Sequence, residues 1–220
     1  MVLALCLLVT LPSLAFEVDD VIGVWLFDDG KGDTAKDSSG NGNDGKLIAK
    51  PTWVKNGKFG GSLEFTATKT HNVRVPLTYS DSLTVAMWAS YTNLASNNIG
   101  LIHIQAGDLD NGNPDTKIVG MWVENSSLLW GRIIPAGAGK VNFAKNEKLK
   151  ADIWYHIAMV IDPQTKKATQ YVNAKAVGDV DDKGKLTKFD FANIGRQGRE
   201  SWDGLLDEVI ILKKLSRSTN

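Results

Sequence analysis

After residue 16 the apolar residues of this chain come in runs of four to eight, each ended by Gly, Asn, Asp or Pro. VIGVWLF at 21–27, LTVAMWA at 83–89, IGLIHI at 99–104, IVGMWV at 118–123, WYHIAMVI at 154–161 and LLDEVIIL at 205–212 are examples. Runs of that length, rich in β-branched and aromatic residues and bounded by turn formers, predict strands. No window carries a sustained helical apolar period, so helices should be few and short. The connections are too short and too polar to hold the crossover helices of a parallel sheet. The expected fold is therefore all-β, a jelly-roll sandwich of two antiparallel sheets. No internal repeat and no Pro- or Ser-rich linker divides the 220 residues, so one domain is expected.

The first residues follow a different logic. VLALCLLVTL at 2–11 is continuously apolar and is followed by Pro12 and Ser13-Leu14-Ala15. Small residues at 13 and 15 suit a secretory signal cleaved after Ala15, although no Lys or Arg precedes the run. The run is too short to span a bilayer, so the mature chain, 16–220, is expected to be secreted, periplasmic or on the cell surface, without a membrane span. Cys6, the only cysteine, lies inside the leader, which leaves the mature chain no disulfide and no thiolate chemistry. The 25 basic and 25 acidic residues are dispersed, which argues against a nucleic-acid partner.

Several segments carry a resemblance. GVWLFDDGKGDTAKDSSGNGNDGKL at 23–47 is followed by PTWVKNGKFGGSLEF at 51–65 and NVRVP at 72–76. SLTVAMWAS at 82–90, WYHIAMVID at 154–162, YVNAKAVG at 171–178, IGR at 194–196 and WDGLLDEVIIL at 202–212 complete the series. In this order they resemble the laminin G-like branch of the concanavalin A-like lectin and glucanase group. The resemblance implies a jelly-roll sandwich, in agreement with the strand pattern. The chain departs from the pattern after SLEF, where it reads TATKTHNVRV, and at Ala174, which stands in a glycine slot.

Three chemistries are weighed on this frame. DSSGNGNDGK at 37–46 gathers residues that tolerate left-handed backbone and bond their own main chain, so it reads first as consecutive turns. It also concentrates oxygens. Asp28, Asp37, Asn41 and Asn43, with Asp207 brought beside the first strand by the last, form a candidate calcium site, as the resemblance also implies for some members. The competing reading has Asp37 capping the turn and Asp207 bonding loop amides. The acidic stretches at 108–115 and 179–190 imitate calcium loops but fail the EF-hand register.

Strand parity places Trp88, His103, Trp122, Trp130, Arg132 and His156 outside the core, and on one sheet these would make a sugar platform. The alternative is that the tryptophans pack internally. Catalysis lacks its parts. A glycosidase needs two carboxylates facing one bond, and Asp207 and Glu208 are neighbours that point opposite ways. The glycine-rich GKGD and GNGNDG lack the Lys-Ser/Thr of a phosphate loop. The expected role is a secreted, non-catalytic recognition module for a glycan or an extracellular or cell-surface protein, assisted by calcium. A polysaccharide hydrolase or lyase of the same fold, or a structural or adhesive surface protein, is the alternative.

Overall fold

The computed structural model describes residues 18–93, 98–107, 117–181, 185–198 and 200–213. The leader at 1–15 and the acidic stretch at 108–115 lie outside these residues. In chain order the strands are β1 (Val21–Trp25), β2 (Thr34–Ala35), β3 (Gly45–Ile48), β4 (Thr52–Val54), β5 (Ser62–Phe65) and β6 (Asn72–Pro76). Next come β7 (Leu83–Tyr91), β8 (Asn98–Gln105), β9 (Lys117–Glu124), β10 (Leu128–Ile133), β11 (Val141–Lys148) and β12 (Tyr155–Asp162). The series ends with β13 (Lys167–Val172), β14 (Lys175–Asp181), β15 (Phe191–Ile194), β16 (Arg196–Gln197), β17 (Glu200–Ser201) and β18 (Gly204–Leu212).

Two sheets result, and every strand pair in them is antiparallel. Sheet I runs β14-β13-β12-β7-β18-β5-β4, with β1 also paired to β18. Sheet II runs β11-β10-β9-β8-β15-β6-β3-β2, and β16–β17 form a separate hairpin. Helix is confined to single 3-10 turns at Val18–Asp20 and Ala67–Lys69 among the described residues. The expected two-layer all-β sandwich is what the chain forms.

Alternation along each strand divides core from surface. Leu83, Val85 and Met87 on β7 and Ile157, Met159 and Ile161 on β12 are buried on the inner face of sheet I. They meet Ile102 and Ile104 of β8, Met121 of β9 and Ile194 of β15 in one core. Trp25 and Trp202 are wholly buried, so two of the tryptophans are core residues.

The last strand has an unusual position. β18 lies between β7 on one side and two partners on the other, β5 along Gly204–Leu206 and β1 along Val209–Leu212. The change of partner coincides with a bulge after Asp207, where Glu208 adopts φ +50°. A bulge re-aims side chains locally, and here it places Asp207 at the seam between β5 and β1.

Candidate functional site

The Asp/Asn-rich turn is a hydrogen-bonding hub. Asp37 Oδ1 accepts from Val24 N at 3.0 Å and Ser39 N at 2.9 Å, and Oδ2 accepts from Asn43 N at 2.9 Å. Burial alone would raise this carboxyl's pKa, but the hydrogen bonds from Ser39, Val24 and Asn43 outweigh it and hold the group below its ordinary range. Asn41 and Asn43 donate their amides to Val21 O and Ile22 O, both at 2.7 Å. The carbonyl of Asn43 accepts the indole N–H of core Trp25 at 3.0 Å. The turn is thereby sewn onto β1.

Asp28 and Asp207 serve a different loop. Residues 57–61 cross the seam in sheet I, with Asp207 Oδ2 accepting from Phe59 N at 2.9 Å and Asp28 Oδ1 from Gly61 N at 2.6 Å. Gly60, at φ +61°, has the left-handed backbone this path needs, and a Cβ there would collide with the Asp28 carboxylate. Asp207 is 0% exposed, and burial, with a smaller push from Asp28, raises its pKa. Glu208 is raised by burial and by the charges of Asp207 and Asp28.

The five donors expected around one cation therefore divide between two loops. Asp37, Asn41 and Asn43 fix one, while Asp28 and Asp207 fix the other. Among the described residues no group of three or more His, Cys, Asp or Glu could hold a metal ion. Asp207 Oδ1 is buried without a hydrogen-bond partner.

The six residues expected on one outer face also divide. Trp88 and His156 are opposite each other on β7 and β12 of sheet I, with ring centroids 5.4 Å apart. His103, Trp122, Trp130 and Arg132 stand on sheet II. Parity turns these side chains away from the shared apolar core, yet His103 and Trp122 are buried all the same, and parity says nothing about which sheet a strand joins.

On sheet I the outer side chains next to the Trp88–His156 ridge are small. Ala86 faces Ala158, and Thr84 faces Val160, which in turn faces Thr169 of β13. The result is a groove of about 540 Å³ with Thr84, Ala158, Val160 and Thr169 along it. Tyr171 and His156 line the groove, with Ser82, Asp162 and Gln164 as further polar neighbours. Burial lowers the His156 pKa, which favours the neutral imidazole. Trp88 itself is covered, with Lys58 Nζ 4.5 Å from its centroid and Phe59 at 5.8 Å, edge-on. Tyr171 and Thr169 share the less buried parity of ATQYV, a strand with neither Trp nor His.

On sheet II the outer aromatic side chains pack against one another. Trp122 and Trp130 lie opposite each other and stack, 6.0 Å apart at 16°, and the Arg132 guanidinium is 5.3 Å from the Trp122 centroid. Trp122 is 6% exposed. His103, 1% exposed, has Nδ1 3.2 Å from Arg196 O and 3.3 Å from Gly198 N, while Nε2 is 2.8 Å from Gln105 Oε1 and 2.9 Å from Asn193 Nδ2. Each ring nitrogen thus meets one donor and one acceptor, so either neutral tautomer is satisfied. This is a buried structural network, not a ligand-facing histidine.

Carboxylate geometry bears on catalysis. Asp162 is the one carboxylate among the groove-lining residues, and it accepts from Gln164 N at 2.9 Å and Thr165 Oγ1 at 3.1 Å. Asp207 is sealed beneath the 57–61 loop.

Comparison with known proteins agrees with this architecture. No curated protein matches the chain by sequence. Among solved structures, the binding domain of Paraclostridial Mosquitocidal Protein 1 superposes with a TM-score of 0.67 at 15% identity, covering 91% of this chain and 50% of that one. Domain 4 of AbnA, a GH43 extracellular arabinanase from Geobacillus stearothermophilus solved with arabinotriose, gives 0.64 at 16% identity, covering 88% and 92%. Trypanosoma rangeli sialidase, in complex with a difluoro-KDN compound, gives 0.66 at 10% identity, covering 91% and 31%. The chain thus spans half of the first structure and under a third of the sialidase. A family model described as the Concanavalin A-like lectin/glucanases superfamily matches residues 60–218. The chain belongs to the laminin G-like branch of that superfamily.

Proposed function

We propose that this chain is a secreted, non-catalytic recognition module that binds carbohydrate in the groove of sheet I. The carrying observation is the groove's composition: hydroxyl and methyl groups of Thr84, Val160 and Thr169, with Tyr171 and His156 beside them. Sugar rings present apolar C–H faces and hydroxyl rims, which suit an apolar trough with few placed polar groups. Domain 4 of AbnA, solved with arabinotriose, is a precedent for sugar binding on this fold. Most retaining or inverting glycosidases use two carboxylates, and the groove has one, which supports binding without hydrolysis. The apolar leader at 2–11 supports export.

Calcium enters this reading at Asp28 and Asp207, supported by the unpartnered Asp207 Oδ1. A protein ligand is the second reading, favoured by one observation. Phe59, 53% exposed, stands beside Trp88 and Lys58 on the 57–61 loop. The botulinum neurotoxin DC binding domain, solved with rat synaptotagmin II, shares the fold at 13% identity.

Glycan-array binding that is lost in Tyr171→Ala and Val160→Trp, with unchanged melting, is the expected result. Flat arrays alongside capture of a protein that Phe59→Ala abolishes would transfer the reading to the loop. Turnover of a polysaccharide that Asp162→Asn abolishes would overturn the non-catalytic assignment.

A further inference from the structure

We infer that the groove on sheet I selects neutral oligosaccharides and excludes acidic sugars, the sialic acids and uronates. The inference rests on the recognition reading above and adds the charge of the ligand.

Two formally charged side chains, Asp162 and Lys167, are among the groove-lining residues. Lys167 Nζ is committed to Asp179 Oδ1 at 3.0 Å, so its charge is already offset. Asp162 accepts hydrogen bonds from its own turn but keeps its negative charge at the groove. His156 adds no compensating cation at neutral pH, because burial lowers its pKa. A ligand carboxylate entering here would lose hydration, meet Asp162 and find no uncommitted cation among the lining residues.

The distribution of arginine points the same way. Arginine is the side chain best shaped for a carboxylate, with paired N–H donors on a permanent charge. The described arginines, Arg74, Arg132 and Arg196, belong to β6, β10 and β16, and none lines the groove. Lys58 stands outside the lining set, with its ammonium over Trp88. The remaining groove surface from Ser82, Thr84, Thr169, Gln164 and Tyr171 is neutral, matching a ligand of hydroxyls and C–H faces.

The test titrates the full chain by calorimetry with arabinotriose, cellotriose, mannotriose and galactotriose, against sialyllactose and trigalacturonate. Low and high salt are compared, with Tyr171→Ala and Thr169→Arg as variants. At least one neutral trisaccharide should bind, at least about tenfold tighter than either acidic probe, with affinity insensitive to salt. Tyr171→Ala should lose that binding, and Thr169→Arg should narrow the neutral-to-acidic ratio. Tighter binding of an acidic probe, weakening as salt rises, would overturn the charge selection but leave carbohydrate recognition standing. No binding by any of the six probes would overturn both. Melting curves of the two variants separate lost contacts from lost fold.

Discussion

The outer faces of the two sheets start from the same strand alternation and end in opposite states. On sheet I the residues facing one another across β7, β12 and β13 are Thr84, Ala86, Ala158, Val160 and Thr169, and they leave a trough. On sheet II the facing residues include Trp122, Trp130 and Arg132, which fill their own surface by stacking. The adjacent His103 network lies beneath the β16–β17 hairpin segment that supplies Arg196 and Gly198. Large aromatic residues outside the core therefore do not by themselves mark a ligand site. A concavity needs small neighbours beside a few large ones, and sheet I has that mixture.

Substitution of the two outward tryptophans tests this contrast most severely. Trp122→Ala should cost about 3 kcal/mol or more in chemical denaturation, because Trp122 is 6% exposed, stacks on Trp130 and meets the Arg132 guanidinium. Trp88→Ala should cost less than about half as much, since Trp88 is half-buried and is covered by Lys58 and the exposed Phe59. Equal losses would erase the distinction between the faces.

Next in size is the seam beneath the groove's ridge. Asp207 has a raised pKa in the folded chain, so the unfolded chain releases this proton first. Its contribution to stability is full below the ordinary carboxylate value, about pH 4, and is lost as pH rises through the folded value. Asp207→Asn keeps an acceptor without the charge, so its melting temperature relative to wild type should climb from acid to neutral pH by a few degrees. Asp37 works in the reverse sense, its stabilisation being lost as pH falls. Millimolar calcium should invert the ranking at neutral pH if Asp28 and Asp207 hold it, because the cation stabilises only the charged wild type. Superimposable melts with calcium and chelator would remove calcium from the proposal.

Smaller effects refine the groove's rim. Ala174 adopts φ +65° after Asn173 at φ +49°, the two-residue hairpin turn between β13 and β14. Ala174→Gly should stabilise by about 1 kcal/mol, since glycine enters that conformation without a Cβ penalty. Lys167→Ala should leave the melting temperature unchanged, as expected of an exposed ion pair. Its effect on affinity for a neutral trisaccharide should stay within about twofold.

Strands that run through the middle of the sheets were legible from residue pattern, because burial imposes a dense apolar side on β7, β8, β9 and β12. The strands VNFAKNEK of β11 and TA of β2 were not read as strands from the apolar runs. Both lie at the ends of sheet II, where polar residues and short length suit a strand with one free edge. Asp37 as a turn cap and Asp207 as an acceptor for loop amides were also readable as the plainer alternative to metal binding. What could not be read was partnership across strands. His156 and His103 follow the same parity rule, yet one lines a groove and the other is enclosed by Gln105, Asn193 and the backbone near Arg196. Those neighbours come from segments up to 95 residues distant, a separation that local pattern does not encode.

The position of β18 carries a consequence for the order of assembly. Residues 204–212 bridge β7 to both β5 and β1, so sheet I stays in three unjoined parts, β14-β13-β12-β7, β5-β4 and β1, until this segment is available. Translation delivers it after every other described strand of the sandwich. A nascent chain halted before residue 204 should consequently remain protease-sensitive on the ribosome, and closure should follow synthesis as a slow, long-range step.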